Sequence, residues 1–343
     1  MRLGMLTGGG DCPGLNAVIR AVVRKAIDGY GDRVIGFRQG WKGVLEDTCE
    51  ELTIESTKGI LPRGGTILGS SRTNPQKRED GVSRVRETLT RNELDGLIVI
   101  GGEDTLGAAN LLHAEGINVI GVPKTIDNDL GATDVTFGFD TALQIATDAI
   151  DRVHSTGESH SRIMVVEVMG RTAGWIALHA GIAGGADVIL IPEIPFDIEE
   201  VCRLIRRRHD RGRHFSVVVA AEGAVPKEGT AMTLPEGDLD EFGHPRLGGI
   251  GQALEAEIEH RTGYETRATV LGHIQRGGTP TAFDRVLGTR VGLAAVVAAH
   301  EGNWGMMAAL RSSEIELVTL ADAVAEVRHV PVAEYERYEV LFG

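Results

Sequence analysis

Short apolar runs, each ending in a glycine-bearing loop or a helix, constrain this chain more than any other feature. They are Arg2–Leu6, Leu97–Ile100, Ile117–Val122, Ile163–Val168, Val188–Ile191, Phe215–Ala221 and Thr269–Leu271. Such runs have the length and chemistry of strands buried on both faces. Between them the period changes. Leu15, Val18, Ile19, Val22, Val23 and Ala26 recur at i, i+3, i+4, i+7, i+8 and i+11, one face of an amphipathic helix. Helical spacing also starts near Leu106 and runs through Leu143, Ala146, Ile150 and Val153. Strands alternating with helices imply parallel βαβ units, so the predicted class is α/β with a doubly wound sheet. A length of 343 residues suits two domains or one large α/β unit, with a border near Gly138. Val225–Gly249 and the tail after about Glu301 read as insertions or linkers.

Charge narrows the partners. Thirty-five Lys and Arg against 49 Asp and Glu leave a formal charge of −14, which repels nucleic acid and anionic membrane. Neither is an expected partner, while small anions focused by a few arginines in a cleft remain open. Cys12, Cys49 and Cys202 lie far apart without metal-ligand spacing, as in a reducing cytoplasm. The start MRLGMLTGGG lacks the pattern of a secretory leader, and no run of about 18 apolar residues occurs, so the expected location is cytoplasmic. Glycine is in excess, 46 residues in all, and glycines gather where a backbone turns sharply or approaches a ligand closely.

The chemistry-bearing motifs follow the strands. Thr7-Gly8-Gly9-Gly10-Asp11-Cys12-Pro13-Gly14 joins the first strand to the first helix, where backbone amides can hold an anion. It is neither a dinucleotide fingerprint nor a Walker A loop, and by itself it is equally a tight turn. Gly101-Gly102-Glu103-Asp104-Thr105 puts two carboxylates and a hydroxyl at a helix start. Carboxylates beside a phosphate call for a cation between them, and Mg²⁺ prefers carboxylate with phosphate oxygens; helix capping is the plainer alternative. Lys124-Thr125-Ile126-Asp127-Asn128-Asp129 sets two carboxylates at i and i+2 beside a lysine, able to divide proton removal from metal or hydroxyl orientation. Met169-Gly170-Arg171, Glu222-Gly223 and Arg267 to Gly278 add guanidinium groups and His273, with His273 and Arg276 spaced to face one sugar phosphate. Nearly all lie beyond strand carboxyl ends, where open α/β sheets bind ligands. Acids, cations and glycines there point to phosphoryl transfer. A sugar-phosphate sensor and an oxidoreductase remain alternatives, although a sensor has no use for Asp127 and Asp129.

Taken in order, GGGDCPGLN, GGTILGSSR, IGGEDTLG, PKTIDNDL, SRIMVVEVMGR, AEG and ETRATVLGHIQRGG resemble the phosphofructokinase family over most of the chain. The resemblance implies two lobes, each a mostly parallel sheet flanked by helices. Residues 1–138 with about 276–300 would form the phosphoryl-donor lobe, and 139–275 with about 301–343 the sugar-phosphate lobe. It implies Asp127 as the base toward the 1-hydroxyl of fructose 6-phosphate, with Thr125 and Asp129 orienting that hydroxyl and the metal-bound phosphate. Arg171 would stabilise the transferring phosphoryl group. Gly10, Arg72 and Thr105 match donor contacts, and Glu103 takes the place of an aspartate associated with Mg²⁺. Met169, Gly170, Glu222, His273 and Arg276 match the sugar pocket. Arg162 and Arg267 match arginines that reach the 6-phosphate from a neighbouring subunit, which implies a homodimer or homotetramer.

The donor turns on two positions. Members that use ATP typically carry glycine where this chain has Asp104, and pyrophosphate users carry aspartate. A carboxylate there would crowd and repel the α-phosphate of ATP, whereas pyrophosphate ends before reaching it. Lys124 replaces a second glycine common in ATP users and can neutralise pyrophosphate. The resemblance therefore implies reversible, Mg²⁺-dependent transfer from pyrophosphate to fructose 6-phosphate, with an ATP-dependent phosphofructokinase as the alternative and a non-catalytic sugar-phosphate sensor as a distant one. The triplet Glu103-Asp104-Thr105 departs from the usual Asp-Asp-Thr of pyrophosphate users.

Overall fold

The computed structural model describes residues 1–230, 232 and 247–343, so most of the Val225–Gly249 segment lies outside the described residues. The chain opens with β1 (Arg2–Thr7), α1 (Leu15–Arg24), β2 (Arg33–Phe37), α2 (Trp41–Glu46) and β3 (Cys49–Leu52). It continues through α3 (Gly81–Arg91), β4 (Gly96–Gly101), α4 (Glu103–Ala114), β5 (Val119–Thr125) and the short β6 (Phe137–Gly138). The long α5 (Phe139–His160) leads to β7 (Ile163–Val168), α6 (Trp175–Ala183), β8 (Val188–Leu190) and α7 (Ile198–Asp210). Then come β9 (Ser216–Ala221), α8 (Ile250–Thr262), β10 (Thr266–Val270) and α9 (Ala282–His300). The hairpin β11 (Met306–Arg311) and β12 (Glu314–Thr319) precedes α10 (Leu320–Ala323) and α11 (Val332–Tyr338).

Two compact units result. The first comprises Met1–Ile126, Leu130–Thr141 and Arg276–Val327. Its sheet runs β12-β11-β5-β4-β1-β2-β3, with β6 beside β5. Every residue of β4 and β5 is buried, which is why β4 and the first half of β5 read as apolar runs; β5 ends in the buried Lys124 and Thr125. Register places Thr7 opposite Ile100 and Gly101 opposite Pro123, so the loops after three parallel strands open at one sheet edge. A core of Leu6, Phe37, Trp41, Val99, Leu106, Leu112 and Met307, among others, fills one face of that sheet. Each such side chain taken out of water contributes about 1.5–3 kcal/mol.

The second unit comprises Asp127–Asp129, Ala142–Gln275 and Arg328–Gly343. Its sheet, β10-β7-β9-β8, is parallel throughout. Val168 stands opposite Ala221 and Val270 opposite Glu167, bringing the loops after β7, β9 and β10 to one edge. Ile163, Val165, Val218, Ile198, Ile205, Leu254 and Ile258 belong to its core. Among the described residues no helix is long and apolar enough to cross a membrane.

The α/β class and the mostly parallel sheets agree with the sequence reading, but several details differ. Residues 301–327, expected in the second lobe, belong to the first unit. The reason is β11, which pairs in parallel with β5, Met306 opposite Ile120, and antiparallel with β12. What reads as a polar tail is thus a hairpin closed by Ser312 and Ser313, with Ser312 at φ 55°. The division after residue 138 lies three residues before the end of Leu130–Thr141. The strand expected at Thr269–Leu271 begins at Thr266, where Thr266 pairs with Ile163.

Candidate active site

In the first unit, two glycine turns surround a lysine. Gly8 donates to the Ile100 carbonyl at 2.9 Å and Gly9 to the Ser71 carbonyl at 3.0 Å, while the Ser70 hydroxyl donates to the Gly9 carbonyl. Lys124, only 3% exposed, extends its Nζ to the Gly10 carbonyl at 2.5 Å. A Cβ on Gly9 would lie 3.4 Å from that ammonium, and one on Gly102 4.0 Å from it. A buried ammonium beside two glycine turns suits an anion whose charge it offsets. Arg276 donates to the Asp11 carbonyl at 3.4 Å, and a Cβ on Gly10 would meet its guanidinium at 2.7 Å. Of the pair expected to face one sugar phosphate, Arg276 thus stands on the glycine-rich loop of the first unit, while His273 falls in the second.

Thr105 is buried against both turns, since a Cβ on Gly8 would meet its Cγ2 at 2.7 Å and one on Gly101 its Cβ at 2.3 Å. The buried indole of Trp41 donates to the Thr105 carbonyl at 3.3 Å. Glu103 opens α4 exposed, with the half-buried Asp104 behind it, and Arg72 is exposed. Burial pushes the Cys12 thiol well up, and its Sγ donates to the Phe137 carbonyl at 3.7 Å, so this cysteine is structural rather than nucleophilic.

In the second unit the acidic turn is nearly enclosed: Asp127 is 4% exposed, Asn128 3% and Asp129 9%. Asn128 takes φ 55°, a left-handed conformation that asparagine tolerates better than most residues. The turn after β7 is also bent, with Gly170 at φ 143° and Arg171 at φ 54°. Side chains from two other motifs pin it: Glu222 Oε1 accepts from the Arg171 amide at 3.0 Å, and Gln275 Oε1 accepts from the Met169 amide at 2.9 Å.

A cavity of about 320 Å³ opens beside that turn, lined by Met169, Glu222 and His273 together with Glu167, Gln252 and the Leu247–Gly249 backbone. Glu167, buried, accepts from the Gly249 and Gly251 amides at 3.2 and 2.7 Å and so fixes the start of α8 along the cavity wall. Arg162 and Arg267 lie elsewhere, at the opposite ends of β7 and β10, both paired with Glu265 at 2.9 and 2.5 Å. The hydrogen bond from Arg162, ahead of any other favourable contact, holds the Glu265 carboxyl below its usual range. The length of β7 puts roughly 20 Å between Arg162 and Met169.

Sequence reasoning missed four residues that shape these loops. Trp41 went unread, Glu167 read as a strand position, and Gln275 sat unassigned within a motif. Arg328 lay in the segment dismissed as a tail, yet its amide donates to the Asp129 carbonyl at 2.8 Å and its guanidinium to the Asn128 carbonyl at 3.3 Å. Only Gln275 carried a usable signal, a polar residue between His273 and Arg276 in a glycine-flanked run.

Residues 2–299 match the family described as Phosphofructokinase. The chain is 60% identical, over the full length of both chains, to pyrophosphate–fructose 6-phosphate 1-phosphotransferase of Amycolatopsis methanolica. It is 56% identical, over 99% of each chain, to ATP-dependent 6-phosphofructokinase 3 of Streptomyces coelicolor. The crystal structure of pyrophosphate-dependent phosphofructokinase from Marinobacter aquaeolei superposes with a TM-score of 0.81 at 26% identity, covering 97% of this chain and 86% of that one.

Proposed function

The chain belongs to the phosphofructokinase family, and from that membership we infer that it transfers a phosphoryl group reversibly from pyrophosphate to the 1-hydroxyl of fructose 6-phosphate. The products are fructose 1,6-bisphosphate and phosphate. The observation that carries the donor assignment is the pairing of Asp104 at the start of α4 with the buried ammonium of Lys124 against the glycine loop. Lys124 offsets charge concentrated on two phosphates, and Asp104 opposes a third phosphate group and a nucleoside.

Asp127 takes the proton from the 1-hydroxyl as that oxygen attacks the terminal phosphorus, and the phosphorus–oxygen bond to the leaving phosphate breaks. A positioned base contributes on the order of 10²–10⁴-fold. Thr125 and Asp129 orient the hydroxyl and the phosphate, and the guanidinium of Arg171 stabilises charge on the group in transit. Gly10, Arg72 and Thr105 contact the donor, while Met169, Gly170, Glu222, His273 and Arg276 hold the sugar phosphate. Its 6-phosphate is completed by Arg162 and Arg267 of a second copy, because the length of β7 separates Arg162 from the cavity of its own protomer. The working form is accordingly a homodimer or homotetramer, placed in the cytoplasm.

Glu103 fits a Mg²⁺ ion. Its carboxylate is exposed at a helix start and makes no hydrogen bond or ion pair among the described residues. Mg²⁺ is commonly held by one or two carboxylates plus substrate phosphates, and it would neutralise donor charge. Initial rates of fructose 1,6-bisphosphate formation, with pyrophosphate or ATP as sole donor, test the assignment. Turnover with pyrophosphate alone, reversed by phosphate, is expected; Asp104→Gly should raise the ratio of ATP to pyrophosphate turnover. Turnover with ATP alone would overturn the donor while leaving Asp127 in its role.

A further inference from the structure

The acidic turn that carries Asp127 is held by a residue some 200 positions away. Arg328 donates from its backbone to the Asp129 carbonyl at 2.8 Å and from Nη1 to the Asn128 carbonyl at 3.3 Å. One is the carbonyl of the left-handed Asn128, the strained point of the turn, and the other is that of the residue after it. Arg328 is itself fixed from behind. Its guanidinium lies over the Trp175 ring, 4.1 Å from the centroid, and the Trp175 indole donates to the Arg328 carbonyl at 2.8 Å. Two residues further on, the Val330 amide donates to Glu193 Oε1 at 2.8 Å, and that carboxylate also accepts from Gly174 at 2.9 Å. The stacked guanidinium is therefore a rigid fork rather than a loose surface cation.

We propose that Arg328 is a positioning residue for the catalytic base: it locks the Asn128 turn so that the Asp127 carboxylate keeps the orientation proton transfer requires. This rests on the reading of Asp127 as the base. A carboxylate set by backbone geometry loses rate steeply when its turn relaxes, because a displacement of about 1 Å can cost on the order of 100-fold. These two contacts hold the main chain of the turn that carries the base, so the effect should appear in turnover more than in sugar affinity.

A double-mutant cycle tests it, with Arg328→Met, Asp127→Asn and the combined variant assayed for kcat, for KM toward fructose 6-phosphate and for thermal stability. Methionine keeps apolar stem atoms over Trp175 and removes the fork. Arg328→Met should lower kcat by about tenfold while KM moves less than about threefold. In the Asp127→Asn background the same change should cost less than about twofold, because there is no longer a base to misplace. Equal losses in both backgrounds would overturn the proposal and leave Arg328 a general stabiliser; so would an Arg328→Met kcat within twofold of wild type. Should Arg328→Met fail to fold, Arg328→Lys, which keeps a long stem and a cation, carries the same cycle under the same criteria. Wild-type kcat in Asp127→Asn would instead overturn the base assignment itself.

Discussion

The two bent loops on which the proposed chemistry depends are held in different ways. Around Gly9 and Gly10 the nearest obstacles to an added Cβ include the ends of two flexible cations, Lys124 Nζ at 3.4 Å and Arg276 Nη1 at 2.7 Å. Around Met169–Arg171 the obstacles are main chain: a Cβ on Gly223 would lie 2.0 Å from the Arg171 carbonyl oxygen, and one on Gly170 2.5 Å from that of Ala173. Side-chain ends can swing, whereas packed backbone cannot without moving its strand. The first loop is thus shaped around charges that can adjust to an anion. The second has its geometry built in before any ligand arrives.

Gly223→Ala tests the rigid side of this contrast and should have the largest effect. The new methyl must displace the Arg171 backbone, so the expected loss is about 3 kcal/mol in urea unfolding, with kcat falling at least tenfold. Unchanged stability would mean that the turn after β7 gives way as readily as the glycine loop. Asp284→Asn examines a rigid anchor in the first unit. Buried, Asp284 accepts from the Gly138 and Thr141 amides at 2.9 and 2.8 Å, and also from the Thr141 hydroxyl at 2.5 Å. Burial outweighs these hydrogen bonds and pushes its carboxyl up to about 6 from 3.8. A raised folded value means the proton favours the folded state, so this stabilisation is complete below about pH 4 and is lost as pH rises through about 6. The stability difference between wild type and Asp284→Asn should therefore shift against wild type by about 2 kcal/mol between roughly pH 4.5 and 7, and a constant difference would refute it. Gly10→Ala probes the adjustable side and should matter least. The Arg276 head swings away, stability changes by less than about 1 kcal/mol, and KM for fructose 6-phosphate, which Arg276 helps to hold, rises about threefold. A loss comparable to that of Gly223→Ala would erase the distinction.

Strands buried on both faces were the most legible part of the fold. Ile163–Val168 announces itself because no polar residue but Glu167 interrupts it, and Glu167 is there to hold α8. β12 was illegible for the opposite reason: it alternates Glu314, Glu316 and exposed positions with apolar ones, and only its pairing with β11 makes it a strand. β2 and β3 went unread because the exposed Glu50 and Glu51 and a solvent-facing Arg33 break their apolar pattern. The candidate site was legible wherever chemistry is local to one loop, as in Lys124 to Asp129. It was not legible where a side chain from a distant segment holds that loop. Arg328 and Trp41 act through backbone carbonyls, and no spacing in a sequence records which carbonyl a remote side chain will reach.

The placement of β11 bears on how the chain is made. The first unit needs a strand that follows β5 by some 180 residues, with the second unit's sheet encoded in between. At a synthesis rate of about 5–20 residues per second, the part of β5 around Ile120 and Gly121 waits roughly 10–40 seconds for its β11 partner. An apolar parallel strand with an unsatisfied edge is a template for wrong pairing. The order of the strands along the chain thus leaves a mispairing hazard during synthesis that the finished fold no longer has.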